Sequence, residues 1–208
     1  MIDHTVLLLF FSTSLLLALS PGPDNLFVLA QSARNGRMAG FYVTLGLSTG
    51  LVGHTIAVAF GLATIVQASA VAFTILKFIG AAYLLYLAWK AFRAAASTGS
   101  MAEAQVLSGG TLYRRGIVMN LTNPKVSLFF LAFLPQFADP SKGSMMLQFI
   151  QLGAVFIIAT ILVFGAISIL AGGVGERFRN SLFAGKVVNR IAAAIFVALA
   201  VKLAISER

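Results

Sequence analysis

The sequence predicts an all-α membrane protein of six transmembrane helices. They form two three-helix inverted repeats, with the first and fourth helices interrupted. Three observations predict this. Six long apolar runs carry the chain, basic residues crowd alternate connections, and two runs are broken by a proline set directly before an ion. Of 208 residues, 59% are hydrophobic and only 10% are charged. A soluble domain is nearer a quarter charged, so the bilayer is the solvent that fits this composition.

The apolar runs read as spans at 5–30, 41–66, 71–92, 117–137, 146–172 and 187–205. Most reach about 20 residues, enough to cross about 30 Å of hydrocarbon at 1.5 Å per residue. The first run is too long for a signal-peptide core and no basic segment precedes it, so no cleavable signal is expected. Lys77 and Lys202 lie inside or near the ends of spans and read as snorkelling lysines.

The net charge of +9 does not read as a nucleic-acid surface, because the cations sit in short connections between apolar runs. Such cations set orientation in the membrane. Ten of them, from Arg34, Arg37, Lys90, Arg93, Arg114 and Arg115 to Arg177, Arg179, Lys186 and Arg190, fall on one side. The other side has Lys142, Lys202 and Arg208. The bias places the basic loops in the cytoplasm and both termini outside.

The one long connection contains Ser97-Thr98-Gly99-Ser100 and Ser108-Gly109-Gly110, a linker composition. It divides a single transmembrane domain, 1–208, into a first half at 1–94, a cytoplasmic linker at 95–116 and a second half at 117–208. Each half has three spans, an odd number, so the halves face opposite ways across the membrane. Aligning Pro23 with Pro124 pairs Asp24 with Lys125. Pro23 falls late in its span and Pro124 early, so strict symmetry requires the fourth helix to begin before Arg114.

The breaks carry the chemistry. The first is Ser20-Pro21-Gly22-Pro23-Asp24-Asn25 and the second Thr122-Asn123-Pro124-Lys125. A charge at membrane depth is costly and functional by default. Pro23 and Pro124 can each occupy the first position of a restarted helix. Each restart exposes backbone N–H groups and the positive end of a helix dipole. These groups suit a carboxylate, and Lys125 adds a full positive charge. Asp24 offers an anion for an ammonium group, or a proton carrier. A site with both signs matches a zwitterion. Asp24 and Lys125 can also be read as a structural ion pair, and Asp24 as a helix-start residue.

Other residues leave alternatives open. Asn25, Asn120 and Asn123 flank the breaks and can bind ligand or satisfy freed backbone groups. His54 is the one histidine within a span, a satisfied buried residue or a proton relay. Gly46 and Gly50 make a small-xxx-small spacing that lets helices approach closely. Tyr83 and Tyr86 read as packing residues or cavity lining. There is no cysteine, no phosphate-binding loop, no metal-ligand cluster and no evident catalytic triad, so no cofactor and no enzyme activity are expected.

These stretches, with Gly46-Leu47-Ser48-Thr49-Gly50, Leu76-Lys77-Phe78-Ile79-Gly80 and Phe133-Leu134-Pro135-Gln136-Phe137, stand in an order similar to that of the lysine exporter (LysE) superfamily. Within it the chain resembles the homoserine/threonine (RhtB-type) amino-acid efflux branch. The resemblance implies a six-helix inner-membrane exporter of small amino acids or derivatives, exchanging substrate for protons. On the residues at the breaks, Asp24 is the leading coupling and ammonium-binding candidate and His54 a weaker proton-coupling candidate. Lys125 is the leading carboxylate-binding residue, with Asn25, Asn120 and Asn123 beside the substrate. A homodimer is compatible with the lipid-facing small residues. The rival readings are an exporter of a metal or inorganic cation and a passive channel.

Overall fold

A computed structural model describes residues 2–62, 70–93, 107–179 and 182–205. Most of these residues are helical, and no strand occurs among them. Among the described residues there are eight α-helices: α1 (His4–Leu19), α2 (Pro23–Asn35), α3 (Arg37–Ala57), α4 (Ala70–Arg93), α5 (Gly109–Leu121), α6 (Pro124–Leu128), α7 (Met145–Arg179) and α8 (Leu182–Ile205).

Local sequence explains the boundaries. Asp3 caps α1 by accepting from the Thr5 N–H at 3.1 Å. Ser20 precedes a proline, which disfavours helical backbone, and it is extended at ψ 128°. The chain restarts with Pro23 in the first turn of α2, bent 63° from α1. Gly36 ends α2 at φ +81°, a left-handed conformation that glycine takes without steric cost. Ser108 caps α5 through the Thr111 N–H. Thr122 closes α5, Asn123 caps α6, and Pro124 stands in its first turn. The α5–α6 bend is 47°. Beyond α6, a π-turn at Phe129–Phe133 and a 3-10 turn at Leu134–Phe137 carry the chain on. Pro135 has no N–H for a regular helical bond, a recognised cause of such irregular turns. In the following loop, the Ser141 hydroxyl and amide donate to Asp139 and hold its carboxyl below the usual carboxylate range.

The expected start of the fourth span changes. The fourth helix begins at Gly109 and not at 117. Arg114 and Arg115 read as loop residues because they are charged, yet the Ser108 cap starts the helix ahead of them. Both breaks therefore follow a substantial helix, and the mismatch between Pro23 and Pro124 disappears. Much of the expected linker, including Ser97-Thr98-Gly99-Ser100, lies outside the described residues.

Three helices are long and apolar enough to cross a membrane, over Arg37–Gly61, Thr74–Arg93 and Met145–Gly172. Each bent pair, counted as one span, raises the total among the described residues to five. The α7 helix has 35 residues, about 52 Å at 1.5 Å per residue, so it overruns the hydrocarbon.

Packing puts polarity inside. Phe60, Val71, Trp89 and Ile205 face outward, as suits a lipid environment. Asp24, Asn25, Asn120, Asn123 and Lys125 are buried. A central aromatic cluster of Phe10, Phe129, Phe130, Phe133, Phe137 and Phe156 fills one end of the interior. The α3 helix packs on α2, α5 and α7, and α4 on α8. The α3–α5 crossing is close: a Cβ on Gly116 would meet the Val43 carbonyl oxygen at 2.6 Å and the Gly46 Cα at 3.0 Å. Gly46 is thus a packing residue. Gly50 lies against Asn120, where a Cβ would come within 2.7 Å of the Asn120 Cβ.

Candidate functional site

The two breaks meet. Lys125, in the first turn of α6, reaches across to the other break and donates its Nζ to the Ser20 carbonyl at 2.8 Å. That carbonyl is one that the end of α1 leaves without a helical partner. Asn25 satisfies another, its Nδ2 donating to the Ala18 carbonyl at 2.5 Å. Gly22 lies against the ammonium: a Cβ there would sit 3.4 Å from Lys125 Nζ, in ordinary contact. The ammonium also lies over the Phe196 ring of α8, 6.0 Å from its centroid, within cation–π range.

Asp24 stands on the opposite side of the same space. Its Oδ2 accepts from Asn120 Nδ2 at 3.4 Å, and Asn123 faces the same carboxylate. Its Oδ1 is buried with no hydrogen-bond partner among the described residues. Asn25 Oδ1 and Asn120 Oδ1 are in the same condition. Buried polar atoms are normally paired, so three unsatisfied acceptors at one place mark a spot with unused binding capacity. The pattern suits a donor such as an ammonium group.

Pro21 and Gly22 form the extended link of the first break, while Pro23 and Pro124 hold equivalent first-turn positions. Asn123 serves as an N-cap, accepting from the Lys125 N–H at 3.0 Å. His54 lies beside the site. Its Nε2 is 3.2 Å from the Asn120 carbonyl oxygen and its ring packs on Phe130 at 5.5 Å. Its hydrogen-bond contact is with Asn120, which in turn donates to Asp24.

Asp24, Asn25, Asn120 and Lys125 line one cavity of about 20 Å³. Its apolar walls include Leu17, Leu51, Val126, Phe156 and Phe164, and Thr160 of α7 adds a hydroxyl. A space of this size takes about one water molecule. A larger solute enters only if the helices separate. A wider groove of about 320 Å³ lies between α1 and α7, lined by Leu7, Leu8, Phe11, Val155, Ile158 and His4. It is almost wholly apolar and holds none of the site residues.

Tyr83 and Tyr86 stack on each other at 5.8 Å and do not line the cavity. Lys202 packs over Phe137 at 4.5 Å. Sequence reasoning missed Thr160. Its signal was a lone hydroxyl in the apolar stretch between Gly153 and Gly165. It also missed the Ser20 carbonyl as the partner of Lys125, for which no sequence signal exists.

The LysE type translocator family model matches residues 15–207. The chain belongs to the LysE type translocator family. It is therefore a membrane translocator and not an enzyme. A homoserine/homoserine lactone efflux protein of Salmonella typhi is 38% identical over 159 residues, spanning 76% of this chain and 77% of that protein. A leucine efflux protein of Salmonella typhimurium is 30% identical over 192 residues, spanning 92% and 91%. A membrane protein of Vibrio cholerae is 30% identical over 205 residues, spanning 99% of each chain. No solved structure matches.

Proposed function

We propose that this translocator exports a small amino acid or amino-acid derivative across the bacterial inner membrane by proton antiport. One observation carries the reading: an ammonium and a carboxylate, each on the residue after a first-turn proline, converge on a single buried cavity. The names of the two efflux relatives support the substrate class.

The geometry suggests how exchange works. The substrate carboxylate replaces the Ser20 carbonyl at Lys125, helped by N–H groups at the restarted helices. The substrate ammonium docks at Asp24, where Oδ1 is open. One carboxylate holds either a proton or an ammonium strongly, and not both. Occupancy by one therefore favours release of the other, which is the condition for antiport. Asn120 orients Asp24, and His54 supports Asn120 from behind.

The architecture we propose is a six-span inverted repeat, with α1–α2 and α5–α6 as the interrupted first and fourth helices and α8 as the sixth span. The equivalent prolines and the early start of α5 support it. The basic loops lie in the cytoplasm and both termini in the periplasm. Reporter fusions are expected to place the N-terminus, residue 140 and the C-terminus outside. A loop around Ser100 found outside would overturn this orientation, since alternation fixes the others.

Efflux in inverted membrane vesicles, with and without a proton gradient, tests the function. Asp24→Asn mimics the protonated carboxyl. It is expected to abolish gradient-driven efflux while retaining exchange of labelled substrate at reduced affinity. Unchanged gradient-driven transport in this variant would remove the coupling role from Asp24.

A further inference from the structure

Six buried helical hydroxyls, Thr13, Ser14, Ser32, Thr44, Thr55 and Ser168, donate to the carbonyl four residues back, at 2.6–2.9 Å. That is how a membrane helix disposes of a hydroxyl without a partner elsewhere. Thr160 does not follow. It is 3% exposed, its Oγ1 has no hydrogen-bond partner among the described residues, and it lines the cavity of Asp24 and Lys125. Ser20 Oγ and Ser48 Oγ are likewise unpartnered but lie outside that lining.

The surroundings sharpen the point. Phe156 and Phe164 stand one helical turn to either side of Thr160 and also line the cavity. The α7 wall is thus two aromatic surfaces with one hydroxyl between them. A substrate whose α-carbon groups sit at Asp24 and Lys125 presents its side chain to the remaining, mostly apolar wall. Methylenes of that side chain meet the phenylalanines. A hydroxyl on it meets Thr160, which can donate and accept at once.

We infer that Thr160 is a specificity residue that reads a hydroxyl on the substrate side chain, so that short hydroxylated α-amino acids are preferred over their aliphatic isosteres. This deepens the amino-acid reading above and rests on it. It also addresses a choice that relatedness leaves open, because the relatives include efflux proteins named for homoserine and for leucine. A site built to bond a hydroxyl discriminates against an analogue lacking it, since its own polar group is then left unpaired.

The test uses the full-length protein in proteoliposomes, with isosteric substrate pairs: homoserine against norvaline, and threonine against valine. The wild type is expected to favour the hydroxylated member of at least one pair by about ten-fold in kcat/KM, the worth of one neutral hydrogen bond. Thr160→Val keeps the shape and removes the hydroxyl. It is expected to bring that ratio close to one. Thr160→Ser is expected to restore the preference. Equal wild-type rates within both pairs, or a ratio unchanged in Thr160→Val, would overturn the inference while leaving amino-acid export in place. No transport of either series by folded wild-type protein would overturn both. Melting temperatures in detergent confirm that each variant is folded, and if Thr160→Val fails to fold, Thr160→Ala supplies the same ratio.

Discussion

The two breaks look alike in sequence and differ in how they are held. The second is self-contained. Asn123 caps its own helix through the Lys125 N–H, and its backbone N–H returns to the Asn120 carbonyl at 3.0 Å. The first has Gly22 at the cap position, with no side chain to contribute, and a sharper bend of 63° against 47°. Its freed carbonyls are satisfied by Asn25 and by Lys125 from the other half of the chain. The lesson is that Lys125 has two possible partners. It completes the first break when it holds the Ser20 carbonyl, and in the exchange proposed above it binds the substrate carboxylate when it lets go. A ligand that competes for one ammonium thereby acts on the backbone of a distant helix.

The largest effect is expected from Lys125→Met. It removes the proposed carboxylate anchor and leaves the Ser20 carbonyl unpaired, at a cost of about 1–3 kcal/mol. Vesicle efflux is expected to fall to background and the detergent melting temperature to drop. The double variant Asp24→Asn plus Lys125→Met is expected to be folded and still inactive. Recovery of transport in it would show that the two charges serve only each other.

A smaller effect is expected where the second break is anchored. Gly116→Leu forces a side chain into the backbone of α3 beside Val43 and Gly46, and overpacking of this kind costs about 1–3 kcal/mol. Its readout is lowered thermal stability, with efflux per folded molecule reduced because Asn120, on the same helix, is displaced from Asp24. Undiminished stability would show that α5 stands off α3.

The finest comparison sets Asn25→Ala against Asn123→Ala. The first orphans a buried carbonyl, about 1–3 kcal/mol. The second loses a helix cap, about 1 kcal/mol. Hydrogen exchange across the two breaks is expected to rise more around Ala18 in Asn25→Ala than around Lys125 in Asn123→Ala. Equal responses would mean that the Asn25 bond holds its break no more strongly than the Asn123 cap holds the other.

Much of this was legible from the chain. Proline fixes backbone geometry and removes a donor, so Pro23 and Pro124 announced where helices stop and restart. Burial of an ion in an apolar run announced Asp24 and Lys125 as interior groups. The start of α5 was not legible, because Arg114 and Arg115 resemble loop charges whereas the Ser108 cap governs. Nor could sequence decide whether His54 is engaged, since its partner is a backbone carbonyl 66 residues away. Thr160 was hidden because a lone threonine in an apolar helix ordinarily bonds to its own backbone. Only the three-dimensional arrangement reveals that it does not.

The bond from Lys125 to the Ser20 carbonyl spans 105 residues of sequence, and that distance bears on how the protein is made. The ribosome delivers Ser20 to the membrane several seconds before it polymerises Lys125, at about 5–20 residues per second. During that interval the carbonyl must keep water or another temporary donor, because hydrocarbon offers none. The break between α1 and α2 therefore stays unfinished until α6 arrives. The residue proposed to receive the substrate is also the one that completes that break.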